Sequence, residues 1–162
     1  GDDIDIKFKD DPSRLFMSNG DGTFTESSLE LGIDDRAMGR GLVCFDYDKD
    51  GDVDLYTANY NQTPNLFCNS GSSNHFVNIK LLEKSGNTQA LGARIYVTTD
   101  GVTQMRELRA GSNYVSQNPV EAHFGLAQAT TLEQIRIVGP DGQESLLDDL
   151  SMDQFITITR ND

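Results

Sequence analysis

Acidic side chains alternate with other residues in one short stretch of the chain. Residues 46–54 read Asp-Tyr-Asp-Lys-Asp-Gly-Asp-Val-Asp, with carboxylates at positions 1, 3, 5, 7 and 9 and glycine at position 6. Acidic side chains this close together repel one another unless a cation lies among them. Oxygen ligands separated by spacer residues, with a glycine at a sharp turn, suit Ca²⁺. The candidate ligands are Asp46, Asp48, Asp50, Asp52 and Asp54.

The flanks of this loop indicate strands. Residues 41–45, Gly-Leu-Val-Cys-Phe, precede it, and residues 55–59, Leu-Tyr-Thr-Ala-Asn, follow it. Both runs are rich in the β-branched, aromatic and other apolar residues that strands favour. An EF-hand requires flanking helices and a glutamate at position 12 of the loop, where this chain has Thr57. The pattern therefore predicts a metal loop within a β-hairpin.

The charge balance limits the partners of the chain. Its 162 residues include 26 acidic and 13 basic side chains, for a formal net charge of −13. Nucleic-acid binding needs a basic face, so we expect no nucleic-acid partner. No apolar run approaches the roughly 20 residues of a membrane-spanning helix, so we expect no membrane span.

An internal repeat indicates the architecture of the first part. Asp-Ile-Asp at residues 3–5 and Pro-Ser-Arg-Leu-Phe at 12–16 recur as Asp-Val-Asp at 52–54 and Pro-Asn-Leu-Phe at 64–67. An offset of roughly 50 residues is typical of β-propeller blades. The first copy starts at the end of a metal loop that lacks its leading aspartates. Because single repeats leave their faces uncovered, we expect the remaining blades of a longer parent chain as partners.

The motifs of residues 1–71 resemble FG-GAP/VCBS repeats, which build integrin-type propellers. The resemblance rests on Arg-Leu-Phe-Met-Ser-Asn-Gly-Asp-Gly-Thr-Phe at 14–24, Gly-Arg-Gly at 39–41 and the aspartate loop. It implies a fragment of propeller blades, truncated at its N-terminus, over residues 1–71. It also implies Ca²⁺ ligation by the side chains of Asp46, Asp48, Asp50 and Asp54, and by the backbone carbonyl of Asp52.

Residues 72–162 resemble a different module, the ASPIC/UnbV domain of the cartilage acidic protein family. The matching segments are Gly-Ala-Arg-Ile-Tyr-Val at 92–97, Gly-Ser-Asn-Tyr-Val-Ser-Gln-Asn at 111–118 and His-Phe-Gly-Leu at 123–126. That domain follows VCBS-type propellers in secreted and surface proteins. The resemblance therefore implies a secreted or cell-surface location.

The residues of this second part independently predict an all-β fold. Apolar and polar residues alternate over 76–81 and 94–98, and Asp100-Gly101 leads directly into a further strand at 103–108. No helix of ordinary length is expected, with the exception of a candidate within residues 148–153. Closely spaced turn signals predict a small β-sandwich or a partly open barrel.

Candidate chemistry in the second part is sparse. Ser116, His123 and Asp141 are the residue types of a catalytic triad, but no nucleophile elbow surrounds the serine. We expect a structural role for His123 and no enzymatic activity.

A polar run with one aromatic residue is the candidate ligand-binding site, comprising Tyr114, Ser116, Gln117 and Asn118. The alternative is that these side chains satisfy backbone groups of their own connection.

These inferences predict an extracellular, calcium-binding adhesion or scaffold module that binds protein or glycan. The competing hypothesis is an accessory or catalytic module of a polysaccharide-active enzyme. Two carboxylates facing each other across a cleft, about 5 to 9 Å apart, would favour that alternative.

Overall fold

The computed structural model describes residues 11–71 and 73–160. Within these residues the chain forms twelve β-strands and no helix, in agreement with the predicted all-β class. The strands make four sheets, none of which closes on itself. Each sheet takes its strands from one side of residue 72, so we refer to residues 11–71 as the N-terminal unit and 73–160 as the C-terminal unit. No helix in the described part of the chain has the length and apolar character needed to cross a membrane.

The N-terminal unit begins with a short hairpin. Strands β1 (Phe16–Ser18) and β2 (Phe24–Glu26) pair antiparallel, with Met17 opposite Thr25. The turn between them contains Gly20 and Gly22, both at positive φ. The residues Asn-Gly-Asp-Gly at 19–22 are a strong hairpin signal, and the structure has the hairpin there.

The second sheet of this unit carries the acidic loop. Its order is β3-β4-β5, with β3 spanning Gly39–Phe45, β4 spanning Asp54–Asn59 and β5 spanning Asn65–Phe67. All neighbours are antiparallel, and Phe45 lies opposite Asp54 at the base of the loop. The predicted strands on both sides of the loop are therefore confirmed.

The C-terminal unit consists of two sheets that face each other. The four-stranded sheet has the order β11-β10-β7-β8, and the three-stranded sheet has the order β12-β6-β9. Their strands are β6 (His75–Glu83), β7 (Arg94–Thr99), β8 (Val102–Glu107), β9 (Ala122–Ala127), β10 (Leu132–Val138), β11 (Glu144–Leu147) and β12 (Gln154–Arg160).

The main hydrophobic core lies between these two sheets. Strand β6 alternates, sending Val77, Ile79 and Leu81 into the core. Partners come from both sheets: Ile95, Val97, Phe124, Leu126, Ile135 and Ile137. Of the two predicted architectures, sandwich or partly open barrel, this arrangement matches the sandwich.

The pairing of β12 with β6 is parallel, whereas the other strand pairs are antiparallel. The turn at residues 139–142 leads into β11, and the chain then crosses to the other sheet before forming β12. Asp153 fixes the start of this strand, because its backbone N–H donates to the carbonyl of Phe76 at 2.7 Å and its Oδ1 accepts the N–H of Phe76 at 3.1 Å.

Asp35 ties the connection before β3 to the two strands that follow. Its Oδ1 accepts the backbone N–H of Ala37 at 2.9 Å, while its Oδ2 accepts Nδ2 of Asn59 at 3.1 Å and Nδ2 of Asn65 at 2.7 Å. Burial raises the pKa of Asp35, but the hydrogen bonds outweigh that effect and the pKa lies below its ordinary value. The ionised carboxylate therefore stabilises the N-terminal unit.

We predict that Asp35→Ala lowers the free energy of unfolding by about 1 to 2 kcal/mol, because two amide side chains and one backbone N–H lose their acceptor. Urea denaturation measures the change. The lowered pKa means that the contribution is complete above the ordinary carboxyl pKa and is lost as the pH falls through the folded-state pKa. The difference between wild type and variant should therefore shrink in acid.

Asp34→Ala is the matched control for this prediction. It removes an adjacent carboxylate that makes no side-chain hydrogen bond to another described residue, so it should leave the free energy of unfolding within about 0.5 kcal/mol of wild type. Equal effects of the two substitutions would contradict the role assigned to Asp35.

Candidate metal centre

Three of the five predicted ligands converge in the loop between β3 and β4. Oxygen atoms of Asp46, Asp48 and Asp50 lie within 4.8 Å of one another. Asp46 is partly buried, and the other two are exposed. Among the described residues, no basic side chain forms an ion pair with these three carboxylates. The cluster is therefore a concentration of negative charge with oxygen donors on one side of the loop.

Backbone amides shape the turn around these carboxylates. Asp46 accepts the N–H of Lys49 at 2.7 Å through Oδ1 and the N–H of Gly51 at 2.9 Å through Oδ2. Asp50 accepts the N–H of Asp52 at 2.9 Å. The chain reverses through Lys49 and Gly51, which have φ values of 63° and 99°. The left-handed conformation at Gly51 explains the glycine at this loop position.

Asp54 differs in position from the three clustered carboxylates. Its side chain is buried, with 1% exposure, and lies at the base of the loop on the first residue of β4. Oδ2 accepts the N–H of Tyr47 at 2.9 Å, and Oδ1 accepts the N–H of Asn69 at 2.8 Å. Asp54 thus joins the start of the loop to the segment after β5. Each of its oxygens retains a second lone pair that could reach a cation.

Asp52 occupies the fourth acidic position and is partly buried. A β-carbon added to Gly71 would lie 3.4 Å from its Oδ2, so its side chain extends toward the end of the N-terminal unit. This orientation is compatible with the predicted role, in which Asp52 contributes only its backbone carbonyl.

The nearby thiols and phenol are poor competitors for a metal. Cys44 and Cys68 are both free, and burial raises the pKa of the Cys44 thiol. A hydrogen bond with Cys68 raises the pKa of Tyr47, and the charges of Cys68, Asp48 and Asp54 act in the same direction. The raised pKa values favour the protonated Cys44 thiol and Tyr47 phenol, which bind metals weakly, so the donors that the loop itself offers are carboxylate and carbonyl oxygens. This donor set fits Ca²⁺ better than a transition metal.

The C-terminal unit packs directly against the loop. The Gly51 carbonyl is hydrogen-bonded to Nε2 of His123 at 2.8 Å, and Gly51 itself is buried. A β-carbon at Gly51 would overlap the ring of Phe76. The Phe76 ring stacks on His123, with centroids 6.0 Å apart and 6° between planes. Sequence reasoning assigned His123 a structural role but contained no signal that it reaches the acidic loop.

The predicted ligand-binding run divides into two sets of side chains. Ser116 accepts the N–H of Leu42 at 3.0 Å and donates to the Leu42 carbonyl at 2.7 Å, while Asn118 accepts the N–H of Cys44 at 3.0 Å. These two residues therefore contact the edge of β3.

Within the described part of the chain, the other two members of the run make no hydrogen bond to β3. Tyr114 is 86% exposed, and Gln117 accepts the N–H of Gly111 at 3.1 Å. Asn113, which the sequence interpretation left out of the candidate site, donates to the Leu42 carbonyl at 2.6 Å.

The three triad-type residues serve separate contacts. Ser116 binds β3, His123 binds Gly51, and Asp141 pairs with Arg160 at 2.9 Å. No hydrogen bond links any two of these three residues within the part of the chain that the structure describes.

Comparison with known proteins assigns both parts of the chain. The family model "FG-GAP-like repeat" matches residues 8–57, and the model "ASPIC and UnbV" matches residues 83–162. The chain is 36% identical over 66 residues to cartilage acidic protein 1 of Homo sapiens and 38% identical over 66 residues to that of Xenopus tropicalis. Each match covers 40% of this chain and 10% of the relative.

The aligned stretch therefore spans about a tenth of the length of these curated relatives. The first match falls mainly in the N-terminal unit, and the second falls mainly in the C-terminal unit. The chain thus carries an FG-GAP-like repeat followed by an ASPIC and UnbV domain.

Proposed function

We propose that this chain is a calcium-binding, non-enzymatic interaction module of an extracellular protein, whose partner is a protein or a glycan. The observation that carries the proposal is the convergence of the Asp46, Asp48 and Asp50 carboxylates without a basic partner among the described residues. The FG-GAP-like repeat, the ASPIC and UnbV domain and the cartilage acidic protein relatives support an extracellular interaction role.

The role of Ca²⁺ in this proposal is structural. Asp46, Asp48 and Asp50 would supply side-chain oxygens, Asp52 its carbonyl oxygen, and Asp54 a carboxylate at the base of the loop. The bound ion would offset part of their negative charge. Asp46 and Asp50 also accept backbone N–H groups of the loop, so fixing their carboxylates fixes the turn. Binding free energy therefore becomes folding free energy of the N-terminal unit.

Neighbouring repeats of a longer chain are the first partners in this proposal. Large apolar side chains of the N-terminal unit remain exposed, including Phe16 at 56%, Phe24 at 63% and Leu29 at 76%. The principal core includes no residue of this unit among those described. Stacked repeats stabilise one another by covering such surfaces, so the FG-GAP-like repeat fits a propeller fragment.

A surface for the external partner lies at Tyr114. Its side chain projects from the connection that contacts β3, and the neighbouring Val115 is 62% exposed. Tyrosine supplies an apolar face together with a hydroxyl, which suits contact with a sugar ring or a peptide. Ser116 and Asn118 hold this connection against β3, so they would present Tyr114 rather than contact the partner.

We predict that isothermal titration calorimetry detects Ca²⁺ binding and that Asp50→Asn weakens it at least roughly tenfold. Substitution of residues that only support the metal ligands already lowers metal affinity by about 10- to 100-fold. Mg²⁺ should bind more weakly than Ca²⁺, because it requires a tighter octahedral shell and retains its waters.

Asp52→Asn is the matched control, because it removes the same charge from the same loop while keeping the backbone carbonyl. It should change the Ca²⁺ dissociation constant by less than about fivefold, because a partly exposed charge whose side chain is not a ligand contributes about 0.2 to 1 kcal/mol. If the wild type shows no heat of Ca²⁺ binding, or if both variants lose the same amount of Ca²⁺ affinity, the proposed ligand set is contradicted.

We predict that removal of Ca²⁺ destabilises the N-terminal unit more than the C-terminal unit. At a free calcium concentration 100 times the dissociation constant, binding stabilises the folded state by about 2.7 kcal/mol. Hydrogen exchange with and without a chelator should show the larger loss of protection in β3 and β4. An equal loss in β7 and β10 would contradict a local structural role for the ion.

We predict that Tyr114→Ala abolishes binding to a partner identified in a glycan and protein screen while changing the free energy of unfolding by less than about 0.5 kcal/mol. Ser116→Ala is the contrasting variant, because it removes two hydrogen bonds to β3 and should cost about 1 kcal/mol of stability. Unaltered partner binding by Tyr114→Ala would exclude this surface.

A further inference from the structure

We propose that Phe76 and His123 of the C-terminal unit are positioning residues of the calcium loop, so that docking of the two units and Ca²⁺ binding strengthen each other. This inference rests on the proposed calcium function. It adds that the metal site is not complete within the FG-GAP-like repeat and that the C-terminal unit contributes to its affinity.

His123 fixes the peptide group that follows Gly51. Its Nε2 lies 2.8 Å from the Gly51 carbonyl oxygen. A carbonyl oxygen only accepts hydrogen bonds, so the ring donates and carries a proton on Nε2. The interaction comes from a residue 72 positions later in the chain, on strand β9.

The peptide groups on both sides of Gly51 hold metal ligands. The Gly51 N–H donates to Oδ2 of Asp46 at 2.9 Å. The next N–H, that of Asp52, belongs to the same peptide group as the Gly51 carbonyl and donates to Oδ1 of Asp50 at 2.9 Å. His123 therefore orients a rigid peptide plane whose opposite side positions a proposed ligand.

Phe76 holds Gly51 from the other direction. Its ring lies where a Gly51 side chain would project, stacks on His123 and meets Phe155 edge-on with centroids 5.4 Å apart. Phe76 is 9% exposed, so this cluster shields the hydrogen bond of His123 from water. Hydrogen bonds removed from water in this way restrict the loop more strongly than exposed ones.

The C-terminal unit also holds the strand that leads into the loop. Ser116 and Asn118 bind the N–H groups of Leu42 and Cys44, and Cys44 precedes the first ligand, Asp46, by two residues. The loop is thus restrained at its entrance and at its turn by the same unit. By linkage, if docking of the C-terminal unit tightens Ca²⁺ binding, bound Ca²⁺ must favour docking by the same factor.

Calcium titration calorimetry on the whole chain tests this inference with three variants. His123→Leu removes the donor and should weaken Ca²⁺ binding roughly tenfold, the lower end for changes around metal ligands. His123→Gln keeps an N–H donor and should recover part of the affinity. His75→Leu is the matched control, because His75 pairs with Asp153 at 2.7 Å and touches neither Gly51 nor the proposed ligands through any hydrogen bond of the described residues.

Hydrogen exchange supplies the reciprocal readout. Addition of Ca²⁺ should slow exchange of the Leu42 and Cys44 amides, which bond to the C-terminal unit, and His123→Leu should reduce that slowing.

The outcomes separate this inference from the function on which it rests. A wild-type chain that does not bind Ca²⁺ overturns the proposed function and this inference together. A wild-type chain that binds Ca²⁺, with the same dissociation constant in His123→Leu, overturns the positioning role alone. A lower melting temperature of His123→Leu at unchanged affinity has the same meaning, because it shows that His123 stabilises the fold only. If His123→Leu does not fold, exchange of the Leu42 and Cys44 amides that is independent of Ca²⁺ in the wild-type chain overturns the inference.

Discussion

Negative charge is concentrated in residues 46–54, and the groups that compensate for it determine the conformation of the loop. Five carboxylates occupy nine residues, and backbone N–H groups compensate for part of that charge. Asp46 and Asp54 each accept two N–H groups, and Asp50 accepts one. These dipoles carry only partial charges, so they shape the loop without neutralising it. In the proposed calcium-bound state, a divalent cation would offset a further part of this charge.

The contact between the two units involves the edge of β3, which has no neighbouring strand on one side among residues 11–71 and 73–160. An edge strand presents N–H and C=O groups that need partners. The C-terminal unit satisfies them with side chains, since Ser116 and Asn118 bond to alternate residues of β3, Leu42 and Cys44. Together with the contact of His123 on Gly51, these bonds make the acidic loop part of an interface. In the proposed calcium-bound state, Ca²⁺ binding and docking of the two units would therefore favour each other.

Local features of the sequence were sufficient to predict the hairpins and the acidic loop. Asn-Gly-Asp-Gly at 19–22 and Asp-Gly at 100–101 specify turns through residues that tolerate positive φ, and the structure has these turns. The parallel pairing of β12 with β6 and the existence of β11 were not predicted, because they depend on a crossover between sheets that leaves no local signature. The contacts of Ser116 and Asn118 with β3 were not predicted either, because they are long-range. The polar character of the two residues was evident in the sequence, but their partners lie 74 residues away.

The most direct test of the central claim is a crystal structure of the chain grown with Ca²⁺, in which anomalous scattering locates the ion. We expect a peak about 2.3 to 2.6 Å from oxygens of Asp46, Asp48 and Asp50. We also expect the Gly51 carbonyl to remain bonded to His123. Absence of the peak from this loop at saturating Ca²⁺, with Asp46, Asp48 and Asp50 facing solvent, would contradict the proposed calcium site.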